Sequence, residues 1–198
     1  MSSETRKYEL KARAETQRET RERIAAVAAG LHEEKGVAST TVAEIARRAG
    51  VTRLTVYNHF PSLDDLLPAC AAHYGERHPM PDFTAALALT DDRARVRAAL
   101  GAVYSWYREV EPMFSKLFSD RATVPELDRF MSGGVDRMQA NLATGLAKGF
   151  GARGKRAERL RAMLRVAVDF WTWRRLTGEG LDDEAAAELM ASSVTAAG

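Results

Sequence analysis

Apolar residues recur along nearly the whole chain at intervals of three and four, and strict alternation is hard to find, so the pattern predicts helices throughout. A first helix is expected from about Thr16 to Lys35, with Ile24, Val27, Ala28 and Leu31 on one face and Gly36 as its stop. Thr41 and Glu44 form a T-x-x-E capping box for a short helix that runs through Ala49 and closes at Gly50. Thr52 caps a third short helix ending near Phe60, where Pro61 follows. Ser62 with Asp65 opens a fourth, carrying Leu63, Leu66, Leu67 and Cys70 toward Tyr74. The run His78-Pro79-Met80-Pro81 breaks the pattern and marks the expected boundary between two subregions. Beyond it, helices are predicted over 92–110, 113–120, 125–148, 156–177 and 183–196. Glu111-Pro112, the Asp120 to Pro125 stretch, the Gly149/Gly151/Gly154 cluster and Gly178/Gly180 are the stops, with Asp91 and Asp182 as caps. The predicted fold class is all-α.

Residues 40 to 60, TTVAEIARRAGVTRLTVYNHF, carry the most information. A helix of about two turns, a tight turn containing glycine and a second short helix form the helix-turn-helix pattern. Val42, Ile45, Ala46 and Ala49 face inward, and Ala46 is small enough for the second helix to cross it closely. Gly50 supplies the left-handed conformation of the turn, and Val51 plugs the space between the helices. Val56 and Phe60, four apart, anchor the second helix. Opposite them lie Leu54, Thr55 and Asn58, bordered by Arg53 and Tyr57. Such a face suits a major groove: Asn pairs with adenine, Arg with guanine, and Leu touches a thymine methyl. Thr41, Thr52, Thr55, Tyr57 and His59 offer donors for phosphate oxygens. The plainer alternative is a pair of core helices joined by a glycine turn, with Tyr57 a buried ring.

Arg21-Glu22-Arg23-Ile24, Gly36, Thr40-Thr41-Val42, Ile45-Ala46, Ala49-Gly50-Val51, Val56-Tyr57-Asn58-His59-Phe60 and Leu66 together resemble the DNA-binding domain of the tetracycline-repressor-like (TetR) family. Phe170-Trp171-Thr172-Trp173-Arg174-Arg175-Leu176, followed by Glu184 to Met190, is similar to the last two helices of that family's regulatory domain. The resemblance implies an N-terminal three-helix DNA-binding domain with a helix-turn-helix, then a C-terminal helical domain for ligand binding and dimerisation. It implies a homodimeric, ligand-responsive transcriptional regulator, usually a repressor released from a palindromic operator on double-stranded DNA by a small molecule. The expected division is an N-terminal arm over 1–17, the DNA-binding domain with its connecting helix over 18–77, and the effector-binding and dimerisation domain over 78–198. Two positions depart from the family pattern. Leu63 stands where a phosphate-touching lysine is common, and His32 where an aromatic residue is common.

The aromatic and methionine content of the second region is mostly ordinary core, and what remains is the candidate effector wall. It comprises Trp106, Tyr107, Phe114, Phe130, Met131, Met138 and Phe170, which suit a small apolar or aromatic effector, with Asp169 and Arg174 as candidate polar anchors. The dimer is expected through the last two helices. Leu160, Met163, Leu164, Ala167, Val168 and Trp171 recur at helical spacing, and Ala185, Ala186, Leu189 and Val194 form a stripe of mostly small residues. The alternative is that these faces bury within one chain.

Composition narrows the picture only a little. The 198 residues carry a formal net charge of +2, with a mild basic excess in residues 1–60. One cysteine, Cys70, excludes an internal disulfide and fits a cytoplasmic protein. No apolar run approaches the ~20 residues that cross a bilayer, so no membrane partner is expected. The N-terminal run of acids and arginines suits a solvated helix or a loose arm. Gly149-Phe150-Gly151-Ala152-Arg153-Gly154-Lys155-Arg156 imitates nucleotide-binding loops but lacks the preceding strand and the hydroxyl after Lys155. His59, His73 and His78 are poorly spaced for zinc, so neither metal nor cofactor is expected. Two rivals stand beside the regulator: a small helical enzyme, for which no nucleophile–base spacing is found, and a helical scaffold binding a partner protein through an aromatic/Met groove.

Overall fold

The computed structural model describes residues 3–197, with side chains from residue 7. Among these residues every regular element is helical. They are α1 (Ser3–Lys35), α2 (Val42–Ala49), α3 (Arg53–His59), α4 (Leu63–Arg77), α5 (Thr84–Leu87), α6 (Asp92–Asp120), α7 (Pro125–Gly133), α8 (Val135–Ala147), α9 (Gly154–Ala167), α10 (Phe170–Gly178) and α11 (Asp183–Ala197), with a 3-10 turn at Lys148–Phe150. The chain divides into two compact units. One comprises the residues through His78 together with Pro112–Phe130; the other comprises Pro79–Glu111 and the residues from Met131 onward.

The first unit is built on Ile24, Ala28 and Leu31 of α1, which meet Ile45, Ala46 and Ala49 of α2, Val56 of α3, and Leu66 and Cys70 of α4. Burial raises the Cys70 thiol to about 12, so it behaves as a small apolar side chain. The helix expected to begin near Thr16 begins instead at Ser3, so the arm foreseen over 1–17 is, from Ser3, the first half of α1. Its side chains from Lys7 to Glu19 are all exposed. Strong helix formers hold it, together with ion pairs such as Arg18 with Glu15 and Glu22.

Three predicted boundaries are overturned. Pro112 lies inside α6 rather than ending it. A proline removes one backbone hydrogen bond, and here the helix carries buried Val110 before it and Met113 after it, so packing outweighs that loss. The segment foreseen as one helix over 125–148 divides at Gly134 into α7 and α8. The one foreseen over 156–177 divides at Val168-Asp169, where Asp169 accepts from the Trp171 and Thr172 amides at 2.9 and 3.1 Å and starts a new helix.

In the second unit the Tyr104 and Tyr107 hydroxyls donate to the carbonyls of Ala167 and Val168 at 2.6 and 2.7 Å, closing the end of α9. Arg95 is buried, bonds the Leu89 carbonyl at 2.8 Å and Asp92, and stands over the Phe150 ring. A Cβ on Gly149 would collide with its guanidinium. The glycine cluster is thus a connector between helices that makes room for a buried arginine.

Candidate nucleic-acid interface

Local chemistry sets the two short helices. The Thr41 hydroxyl accepts from the Glu44 amide at 3.2 Å and caps α2. The reciprocal half of the expected capping box is not formed, because the Glu44 carboxylate goes to Lys35 and Arg48 instead. The hydrogen bond from Lys35 holds that carboxyl below its usual range. Gly50 closes α2 at φ 66° and ψ 35°, the left-handed region that a Cβ disfavours. Thr52 then caps α3, its hydroxyl accepting from the Thr55 amide at 3.0 Å.

Burying Val56 and Phe60 turns the opposite side of α3 outward. Arg53, Leu54, Tyr57 and Asn58 are exposed, Leu54 by 68% and Tyr57 by 51%. Thr41 and Thr52 are exposed, and Thr55 and His59 half-buried. The alternative of a buried Tyr57 is therefore excluded, and the eight residues named from the sequence have surface access on α3 and on the N-caps of α2 and α3.

Sequence reasoning assigned no role to the two arginines that fasten this pair of helices to α1. Arg23 Nε donates to the Ala49 carbonyl at 3.0 Å, at the C-terminal end of α2. Arg21 donates to the His59 carbonyl at the end of α3, and its guanidinium sits 4.1 Å from the centre of the Phe60 ring. A cation at a helix C-terminus meets the negative end of the helix dipole, and an aromatic face adds a further attraction. In sequence they stand only as part of the run Arg21-Glu22-Arg23-Ile24 that resembles the TetR family, and nothing local tells which carbonyls they reach. Arg48 forms a two-pronged pair with Glu34 at 2.6 and 3.2 Å, tying α2 to α1.

The other candidates divide. Phe114 and Phe130 belong to the first unit; Trp106, Tyr107, Met131, Met138 and Phe170 belong to the second. In the second unit the Tyr107 ring lies 5.6 Å from Trp106 and 5.4 Å from Phe170, centre to centre, and its hydroxyl accepts from Gln139 at 2.7 Å. Arg174 pairs with Glu111 and Asp169 caps α10. Leu160, Leu164, Ala167, Val168, Ala186 and Val194, foreseen as dimer-forming, are buried within the chain, because α9 and α11 pack on each other. Val166, Trp171 and Leu189 are left exposed on α9, α10 and α11. Among the described residues no three His, Cys, Asp or Glu side chains converge as metal ligands, and no helix is long and apolar enough to cross a membrane.

Residues 24–70, which include α2, α3 and their caps, match the family described as bacterial regulatory proteins of the tetR family. The chain belongs to the TetR family. Across most of its length it is similar to the HTH-type transcriptional regulator BetI of Burkholderia mallei, 29% identical over 166 residues that span 79% of this chain and 82% of BetI. It is also similar to the uncharacterized HTH-type transcriptional regulator TtgW of Pseudomonas putida, 41% identical over 90 residues, or 44% of this chain and 66% of TtgW. A tetR-family transcriptional regulator from Streptomyces coelicolor shares the fold at a TM-score of 0.62 and 19% identity, covering 91% of this chain and 80% of that one. This TetR-family chain is a DNA-binding transcriptional regulator.

Proposed function

We propose that the chain acts in the cytoplasm as a homodimeric repressor, rather than as a catalyst, and reads a palindromic operator through α3. Arg53, Leu54 and Asn58 contact base edges, and Thr41, Thr52, Thr55, Tyr57 and His59 contact phosphates or groove walls. The observation that carries this reading is the outward face of α3. With Val56 and Phe60 buried behind them, Arg53, Leu54 and Asn58 are all exposed and are not used to hold the fold.

The second unit senses and dimerises. Trp106, Tyr107, Met131, Met138 and Phe170 supply the apolar and aromatic surface for a small effector, supported by the packing of the Trp106 and Phe170 rings against Tyr107. Exposed Val166, Trp171 and Leu189 supply apolar contacts to a second copy. Effector binding favours a separation of the two reading heads that cannot span successive major grooves, which lowers DNA affinity. The test is selection of bound duplexes from a random pool by the full-length protein, followed by a small-molecule screen for release. A palindrome with half-sites about one helical turn apart, or slightly more, is the expected outcome. Recovery of unrelated sequences with no repeated half-site would overturn the reading.

A further inference from the structure

The exposed half of α1 has a sidedness that its mixed composition hides. Lys7, Lys11, Ala14, Arg18 and Arg21 follow one another at steps of four, three, four and three. At about 100° per residue they fall in one stripe less than about a quarter-turn wide. Arg13 lies on the other side, as does Glu9. The last member orients the stripe: Arg21 donates to the His59 carbonyl and covers the Phe60 ring, so this face of α1 meets the C-terminal end of α3. From there the stripe runs outward for about 20 Å at 1.5 Å per residue.

We propose that the free half of α1 is a second DNA contact, in which Lys7, Lys11 and Arg18 lie against phosphates of the duplex flanking the sequence read by α3. The proposal rests on the reading of α3 as the base-contacting helix. Two observations select duplex DNA as the occupant. The stripe is basic, and it is continuous with the outward-facing helix through Arg21. Ala14, in the middle of the stripe, keeps the helix backbone low against a partner. Arg18 is paired with Glu15 and Glu22, but these pairs are exposed and weak enough for phosphate to compete. Among the described residues Lys7 and Lys11 form no ion pair. The exposed Tyr8 and Leu10 fall on opposite sides of the stripe and make no continuous apolar face, which a partner helix or a lipid surface requires.

The probe is a mixed-sequence duplex of about 40 base pairs, titrated with the full chain at several salt concentrations. The double variant Lys7→Gln/Lys11→Gln is expected to flatten the slope of log affinity against log salt by about 0.9 per lysine lost, and to weaken low-salt binding about tenfold or more. Its helical circular dichroism is expected to stay unchanged, and Lys7→Arg/Lys11→Arg to restore the slope. A double variant with the wild-type slope and affinity overturns the proposal while leaving the reading of α3 intact. Failure of the wild-type chain to bind any duplex in a salt-dependent way overturns that underlying reading instead. Binding of the wild-type chain to anionic vesicles in preference to duplex also overturns the proposal.

Discussion

Between Lys35 and Leu63, most helix ends are governed by residues no more than four positions away: Thr41 on the Glu44 amide, Gly50 on the carbonyls of Ala46 and Arg47, and Thr52 on the Thr55 amide. In the second unit, the end of α9 is closed by hydroxyls from α6 that lie 63 and 61 residues earlier in the chain. The glycine connector is shaped by Arg95 from the start of the same helix. The first region is organised chiefly by short-range capping, whereas the second adds to its local caps buried polar groups that come from segments distant in sequence. The first kind of order can be written as a motif with fixed spacing; the second cannot.

The largest expected effect tests the point at which the first unit breaks this rule. His32 is buried near the end of α1, close to Asp120, whose carboxylate accepts from the Ala38 amide at 3.0 Å. Burial pushes the His32 pKa from 6.5 down to about 4, against the opposing pull of Asp120. The folded state therefore holds the imidazole neutral. Stability from this group is fully present above the unfolded value and is lost as pH falls from 6.5 toward 4. The loss amounts to about 3 kcal/mol over that window. Urea melts of wild type and His32→Leu at pH 7 and pH 4.5 check it: the variant is expected to lose markedly less stability on acidification. An equal loss in both proteins would show that His32 is not the group responsible.

A middling effect tests the long-range order of the second unit. Tyr107 is fully buried, and burial raises its hydroxyl pKa, so the group is held neutral. It donates to the Val168 carbonyl at 2.7 Å and accepts from Gln139. Tyr107→Phe keeps the ring and removes both bonds, leaving buried polar groups with one partner fewer. The expected cost is about 1–3 kcal/mol in thermal or denaturant unfolding. If the end of α9 were instead set by local sequence, the variant would unfold like wild type.

These two cases explain what the sequence made legible. The all-helical class and the pair of short helices follow from apolar spacing and caps within a turn of their targets. The merging of two predicted helices through Pro112 did not follow, because proline is a strong local signal and packing around Val110 and Met113 overrides it. The break at Asp169 was also hidden. Its apolar spacing continues through Ala167, Val168 and Phe170 as though one helix ran on, and the Asp169 cap inside that run gains its meaning only with the tyrosine hydroxyls from α6 that close α9. The seven-residue effector wall mixed residues of both units for a related reason. Aromatic content marks burial, but not which core an aromatic joins. The α3 face was readable because a seven-residue helix with two anchors leaves little freedom in what faces out.

The smallest expected effect on stability belongs to that same face, and it separates the two regions most sharply. Arg53 and Asn58 are exposed on α3, whose position is set by Thr52, Val56 and Phe60 behind them. Arg53→Ala and Asn58→Ala are each expected to change unfolding free energy by no more than about 0.5 kcal/mol, the range for surface positions outside any packed contact. On the selected operator, each is expected to lose about 1–3 kcal/mol of discrimination against a duplex altered at its base pair. That outcome would uncouple stability from recognition in the first unit, whereas Tyr107 in the second serves the fold directly. A variant that loses operator discrimination only in proportion to its loss of folded protein would mean that the face is structural after all.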